Sequence, residues 1–134
     1  MSEQPAMQEN LLFEYAIIRI VPLVEREEFM NVGVILYCPS RKFLECRISL
    51  NVERANGFFR KGIDCQEINK YLNAFEKICN GSRQGGVIAT LPQVSRFRWL
   101  TATRSTILQA SKVHPGLCVH PEVTLDQLFH ELVV

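Results

Sequence analysis

The sequence contains no glycine-rich dinucleotide fingerprint, no Walker A loop, no HExxH pair and no GxSxG elbow. Those absences remove the short signatures of nucleotide cradling, zinc proteolysis and α/β-hydrolase chemistry. No CxxC pair occurs among the five cysteines, Cys38, Cys46, Cys65, Cys79 and Cys118, and an odd set does not close into a disulfide framework. Most sit among apolar neighbours, where a free thiol acts as a small hydrophobe, so reduced core cysteines are expected. No apolar run approaches the ~20 residues that span a bilayer. The opening "MSEQPAMQEN" lacks the basic and apolar parts of a signal peptide. A cytoplasmic chain without membrane association is the expectation. Internal repeats and low-complexity segments are also missing.

What is present is ordinary globular composition, 47% hydrophobic and 22% charged over 134 residues. That length suits one domain able to bury roughly two-thirds of its unfolded surface. The net charge of +1 gives no general pull toward nucleic acid or membrane. The charge is uneven, however. No acidic residue lies between Ser82 and Pro121, while Arg96, Arg98, Arg104 and Lys112 fall within that stretch.

Residues 1–12 read as a polar, flexible N-terminal tail, and 13–134 as one domain. "FEYAIIRIVP" is rich in β-branched and aromatic residues and predicts a strand closed by Pro22. "LVEREEF" predicts a single helical turn. "NVGVILYC" is apolar at both alternating positions, the pattern of a central strand covered on both faces. "PSRK" makes a tight connection to "FLECRISL", where Leu44, Cys46, Ile48 and Leu50 alternate with Glu45, Arg47 and Ser49. The two strands predict a hairpin.

Helical spacing then takes over. "VERANGFFRKG" predicts a short helix weakened by Gly57. In "DCQEINKYLNAFEKICNG", Asp64 and Glu67 form a capping box, Ile68, Leu72 and Phe75 make an apolar stripe, and Gly81 ends the helix. "SRQGG" is a loop, and "VIATLP" a short strand or extended connector. "RFRWLTATRSTILQAS" favours strand in its second half, and "TLDQLFHELVV" predicts a helix opened by a second capping box at Thr124 and Gln127. Strands first and helices later predict an α+β domain. Its small antiparallel sheet, three N-terminal strands plus a later one, packs with about three helices.

Three stretches carry residue types suited to a site. In the first, Glu27 and Glu28 precede Asn31 and Gly33. Strict alternation points Asn31, Gly33, Ile35 and Tyr37 to one side, leaving the amide above a missing side chain. Such a position admits a ligand or a partner backbone. The competing reading has Asn31 bonded to a neighbouring loop and Gly33 making room for an aromatic ring. Glu27 and Glu28, adjacent on a short turn, diverge and read as a solvated face.

The second stretch is "RFRWLTATRST". Arg96, Arg98 and Arg104, with Ser105 and Thr106, suit a phosphate or carboxylate, because guanidinium forks bind planar oxyanions in pairs of bonds. Trp99 and Phe97 add the stacking surface that a nucleotide or single strand needs. The competing reading pairs Arg98 and Arg104 with Glu27, Glu28 or Glu45 and places Trp99 in the core. In the third stretch, "HPGLCVHP", residues His114, Cys118 and His120 match no common zinc spacing. His114 is only a loose candidate base for Ser105 or Thr106, and no metal or cofactor is expected.

Taken together, "YAIIRIVP", "EREEFMNVGVILY", "RFRWLTATRSTILQAS", "VHPGL" and "LDQLFHELV" resemble the bacterial domain of unknown function 3037 family. The resemblance covers nearly the whole chain after the tail. It implies a possible protein partner, a HipA-like kinase encoded beside such domains in a toxin–antitoxin-like pair. A protein-interaction domain, rather than an enzyme, is the leading expectation. The alternatives are an anionic-ligand or nucleic-acid binder built on the arginine segment and, more weakly, a phosphate-ester or nucleotide-processing enzyme. The last requires a carboxylate to meet Arg98, Arg104 or His114.

Overall fold

Strand β2 (Met30–Cys38) is buried almost end to end, and the rest of the chain arranges itself around it. A computed structural model describes residues 9–134. Residues 1–8 of the expected tail lie outside that range, and the first strand, β1 (Leu11–Ile20), already includes Leu11 and Leu12. β1 pairs antiparallel with β2, which pairs antiparallel with β3 (Phe43–Ile48). A 3-10 turn at Pro39–Arg41 joins β2 to β3, with Lys42 left-handed at φ 51°. The predicted hairpin is therefore present.

Two further strands run beside the other edge of β1. β4 (Leu108–Ala110) pairs with its C-terminal end and β5 (His114–Cys118) with its N-terminal end, both antiparallel. The order across the sheet is β3-β2-β1-β4, with β5 also on β1. "HPGLC", for which the sequence predicts no strand, carries Pro115 and Gly116 within β5. At the edge of a sheet a proline loses no ladder bond. Gly116 is needed there, since an added Cβ would fall 2.5 Å from Cζ of Phe13.

Among the described residues, four helices cover the two faces. One face carries Ala16, Ile18, Val32, Ile35 and Tyr37 against α1 (Val52–Phe58), α2 (Cys65–Asn80) and α3 (Gln93–Thr101). The other carries Phe13, Val34, Leu36 and Cys38 against α4 (Pro121–Leu132). Alternate residues of β2 thus enter separate cores, which is why the strand is apolar at successive positions. The α+β class and antiparallel sheet hold, with one more strand and one more helix than expected.

Local chemistry sets the helix ends. Asp64 accepts from the Glu67 amide at 3.1 Å, and Gly81 closes α2 with φ 70°. Asn51 caps α1 in the same way through the Arg54 amide. Two expectations need correction. α4 begins at Pro121 rather than Thr124, because proline at the first helical position presets φ and has no amide to satisfy. The Thr124 amide is instead spent inside the helix, on the His120 carbonyl. "VIATLP" forms a 3-10 turn at Ile88–Thr90, where the Thr90 hydroxyl donates to the Val87 carbonyl at 2.6 Å.

α3 occupies the first half of "RFRWLTATRSTILQAS", the half for which no element was predicted. Phe97 and Leu100, three residues apart, are buried together, and the Phe97 ring lies 5.4 Å from Tyr37. That contact seats the helix on the sheet and overrides the strand preference of Trp99 and Thr101. The second half does contain the predicted strand, β4.

Candidate functional site

The period-two reading of β2 fails at one residue. Gly33 stands opposite Ile18, yet Asn31 stands opposite Arg19, so Val32 is an extra residue in the ladder. Such a bulge puts Val32 and Gly33 on the same side and turns Asn31 to the other. Asn31 therefore does not stand over the Gly33 gap; it faces α4, where its Nδ2 donates to the Leu132 carbonyl at 3.1 Å. Gly33 has no ligand space above it. An added Cβ would meet the Arg47 carbonyl at 2.6 Å and the Ile48 side chain at 3.0 Å.

Around Asn31 lies a small cavity of about 160 Å³ shared with Ser49, Asn51, Arg54 and Val133. Arg54 donates to the Val133 carbonyl at 3.2 Å, so both side chains clasp the end of α4. Glu27 is exposed with a left-handed backbone at φ 57°, and Glu28 pairs with Arg26. Glu45 pairs with Arg47 at 3.1 Å, and Arg47 also reaches Asp126 of α4 at 3.0 Å. Burial opposes the charge on Arg47, but these two carboxylates outweigh it and raise its pKa. None of the described carboxylates forms an ion pair with Arg98 or Arg104, contrary to the structural reading of those arginines.

The three arginines do not converge. Arg96 and Arg98, two residues apart on α3, are separated by about 200° around the helix. Arg96 packs against Gly81 and donates to the Leu91 carbonyl at 2.7 Å, with its Nε buried and without a partner among the described residues. Arg98 is exposed. Arg104 folds back, donating to the Trp99 carbonyl, with its guanidinium carbon 4.1 Å from the centre of the Trp99 ring. Trp99 is not a core residue: it is 40% exposed.

Beside this pair an open cleft of about 230 Å³ lies between α2, α3 and β4. Tyr71 of α2, Trp99 of α3 and Arg104 line it together with Phe75, Ile78 and Leu100. Thr106 joins the rim and donates to the Leu108 carbonyl at 2.7 Å. Of the sequence candidates, the structure brings Trp99, Arg104 and Thr106 to one cavity and leaves Asn31, Gly33, Arg96 and Arg98 outside its lining. Ser105 is exposed in the loop beside it, and Lys112 is exposed between β4 and β5.

Tyr71 was missed by sequence reasoning. It lies off the Ile68, Leu72 and Phe75 stripe and remains 44% exposed. An aromatic widening an apolar stripe beyond its core-facing width is the signal that marks it.

His114 lies against Tyr15, with ring centres 5.3 Å apart. β5 holds His114 and Cys118 four extended residues apart, about 13 Å, and no three His, Cys, Asp or Glu side chains gather among the described residues. No helix among them is long and apolar enough to cross a membrane.

No curated protein and no solved structure matches the chain. A family profile described as "Protein of unknown function" matches residues 15–133, which include all five strands except the first four residues of β1 and all four helices. The chain belongs to that family, DUF3037.

Proposed function

We propose that this chain is a protein-interaction domain that receives its partner at the cleft between α2, α3 and β4. One observation carries the reading: Trp99, Tyr71 and Arg104 surround an open apolar cavity, with both aromatic rings substantially exposed. Tryptophan, tyrosine and arginine are the residue types that dominate binding energy at protein interfaces. An exposed tryptophan backed by a stacked guanidinium also loses little side-chain freedom on binding, because it is already held. The partner implied by the family resemblance is a HipA-like kinase, and the domain acts in the cytoplasm with its cysteines reduced.

Co-expression of the chain with a HipA-like kinase tests this. Wild-type chain is expected to co-purify with the kinase, and Trp99→Ala and Tyr71→Ala to lose it while folding normally. Retention of the complex by Trp99→Ala would contradict the reading.

A second reading, binding of an anionic ligand or nucleic acid, draws on Arg98, exposed and without an ion pair among the described residues, in a segment lacking carboxylates. It predicts affinity for single-stranded nucleic acid that falls steeply with salt and is lost in Arg98→Ala.

A further inference from the structure

Resting on the docking reading, we infer that the occupant of the cleft is an extended acidic segment of the partner, added as a strand along β4. Among the described residues β4 is the last strand on its side of the sheet. The Ile107 carbonyl accepts from the Val21 amide at 2.7 Å, and the Ser111 amide donates to the Ile17 carbonyl at 2.8 Å. Backbone groups alternate along an antiparallel ladder, so those of Leu108 and Ala110 point away from β1. Thr106 satisfies the Leu108 carbonyl. The Ala110 amide and carbonyl are left facing outward, and unpaired groups at a sheet edge are a template for another strand.

Leu108 and Ala110 also line the cleft, and their side chains pack toward the core beneath α2 and α3. A strand laid along this edge turns every second side chain to that same face. One such large apolar side chain enters between Tyr71 and Trp99.

Charge selects the flanks. From Ser82 to Pro121 there are five cations (Arg83, Arg96, Arg98, Arg104 and Lys112) and no carboxylate, in a chain whose net charge is only +1. This segment supplies α3, the Trp99–Arg104 pair and β4 itself. Arg98, exposed on α3 one residue before Trp99 and outside the cleft lining, is the cation assigned to a carboxylate that flanks the apolar anchor. An edge strand with one side-chain-sized cavity matches a peptide better than the repeated stacking platforms that a nucleic acid strand uses.

The probe is a library of phage-displayed random dodecapeptides selected on the full chain, followed by fluorescence anisotropy with the consensus peptide. The consensus should carry one large apolar residue flanked by Asp or Glu. Trp99→Ala and Ala110→Pro should each weaken it about tenfold, and Arg98→Glu should weaken it measurably, with circular dichroism unchanged. Proline at Ala110 removes only an outward amide, so β1 pairing survives. Should that variant misfold, N-methylation of alternate peptide amides makes the same test on the wild-type chain. A neutral or basic consensus, no consensus, full affinity after both Ala110→Pro and N-methylation, or equal binding of oligothymidylate would overturn the inference. If Trp99→Ala abolishes the kinase complex while Ala110→Pro leaves it intact, the docking reading stands and the strand inference falls. If Trp99→Ala leaves the complex intact, the docking reading itself fails.

Discussion

Arg104 closes α3 on Trp99: its guanidinium bonds the Trp99 carbonyl and lies 4.1 Å from the centre of the same residue's indole ring. One side chain thereby caps a helix end and fixes one of the two exposed aromatic rings of the cleft. A cation at a helix C-terminus is favourable in its own right, because the last carbonyls carry partial negative charge. The arginine's position in the sequence, five residues after the tryptophan, is what lets the turn after α3 bring it back.

Arg104→Ala removes both interactions and should lower stability by about 1 kcal/mol. Trp99 is the only tryptophan, so its fluorescence reports the site directly. Acrylamide quenching of the variant should exceed that of wild type, with Arg104→Lys in between. Unchanged quenching would mean the stacking does not persist in solution.

Gly33→Ala should be among the more damaging single-atom-scale changes available. The new methyl would sit 2.6 Å from the Arg47 carbonyl, which is backbone and held in the β2–β3 ladder. Overpacking of this kind costs about 1–3 kcal/mol. Urea unfolding checks it, and a loss below measurement would show that β3 shifts freely.

Asn31→Ala should cost about 1 kcal/mol through the lost bond to the Leu132 carbonyl. The effect should be local. Hydrogen exchange is expected to quicken in the last turn of α4 and to leave α2 unchanged. Equal acceleration in both helices would contradict a clasp confined to α4.

How far the sequence spoke depended on whether a residue's role was local. The β2–β3 hairpin and α2 were legible because alternation, Asp64 and Gly81 act within a few residues. The bulge at Val32 was not, since a period-two count carries no mark of an inserted residue and its register is set by β1. Thr124 and Gln127 matched a capping pattern, but Pro121 started the helix earlier. α3 was hidden because the Phe97–Tyr37 contact, sixty positions apart in the chain, decides its conformation. Trp99 and Arg104 stood out in the sequence as a stacking surface and an oxyanion-binding group; Tyr71 comes from α2, and only folding brings it to the same cleft.

The neighbouring Cys46 side chain and burial both push the Cys79 thiol well above its ordinary 9.0. The folded state therefore keeps a proton that the unfolded chain releases. Its contribution to stability is complete below about pH 9 and is lost as pH rises beyond it, with a slope of up to ~1.4 kcal/mol per pH unit. Urea unfolding across the alkaline range should show this decline, and Cys79→Ala should flatten it. In the native protein Cys79 should also resist iodoacetamide, while the partly exposed Cys65 reacts. Rapid native labelling of Cys79 would contradict its burial.

The central claim is that the Trp99 cleft is where a protein partner docks. Titration calorimetry of a purified HipA-like kinase with wild-type and Trp99→Ala chains tests it most directly. The account predicts that the variant keeps its fold and loses at least 2 kcal/mol of binding energy, roughly a thirtyfold weaker affinity. Equal affinity for the two chains would contradict it.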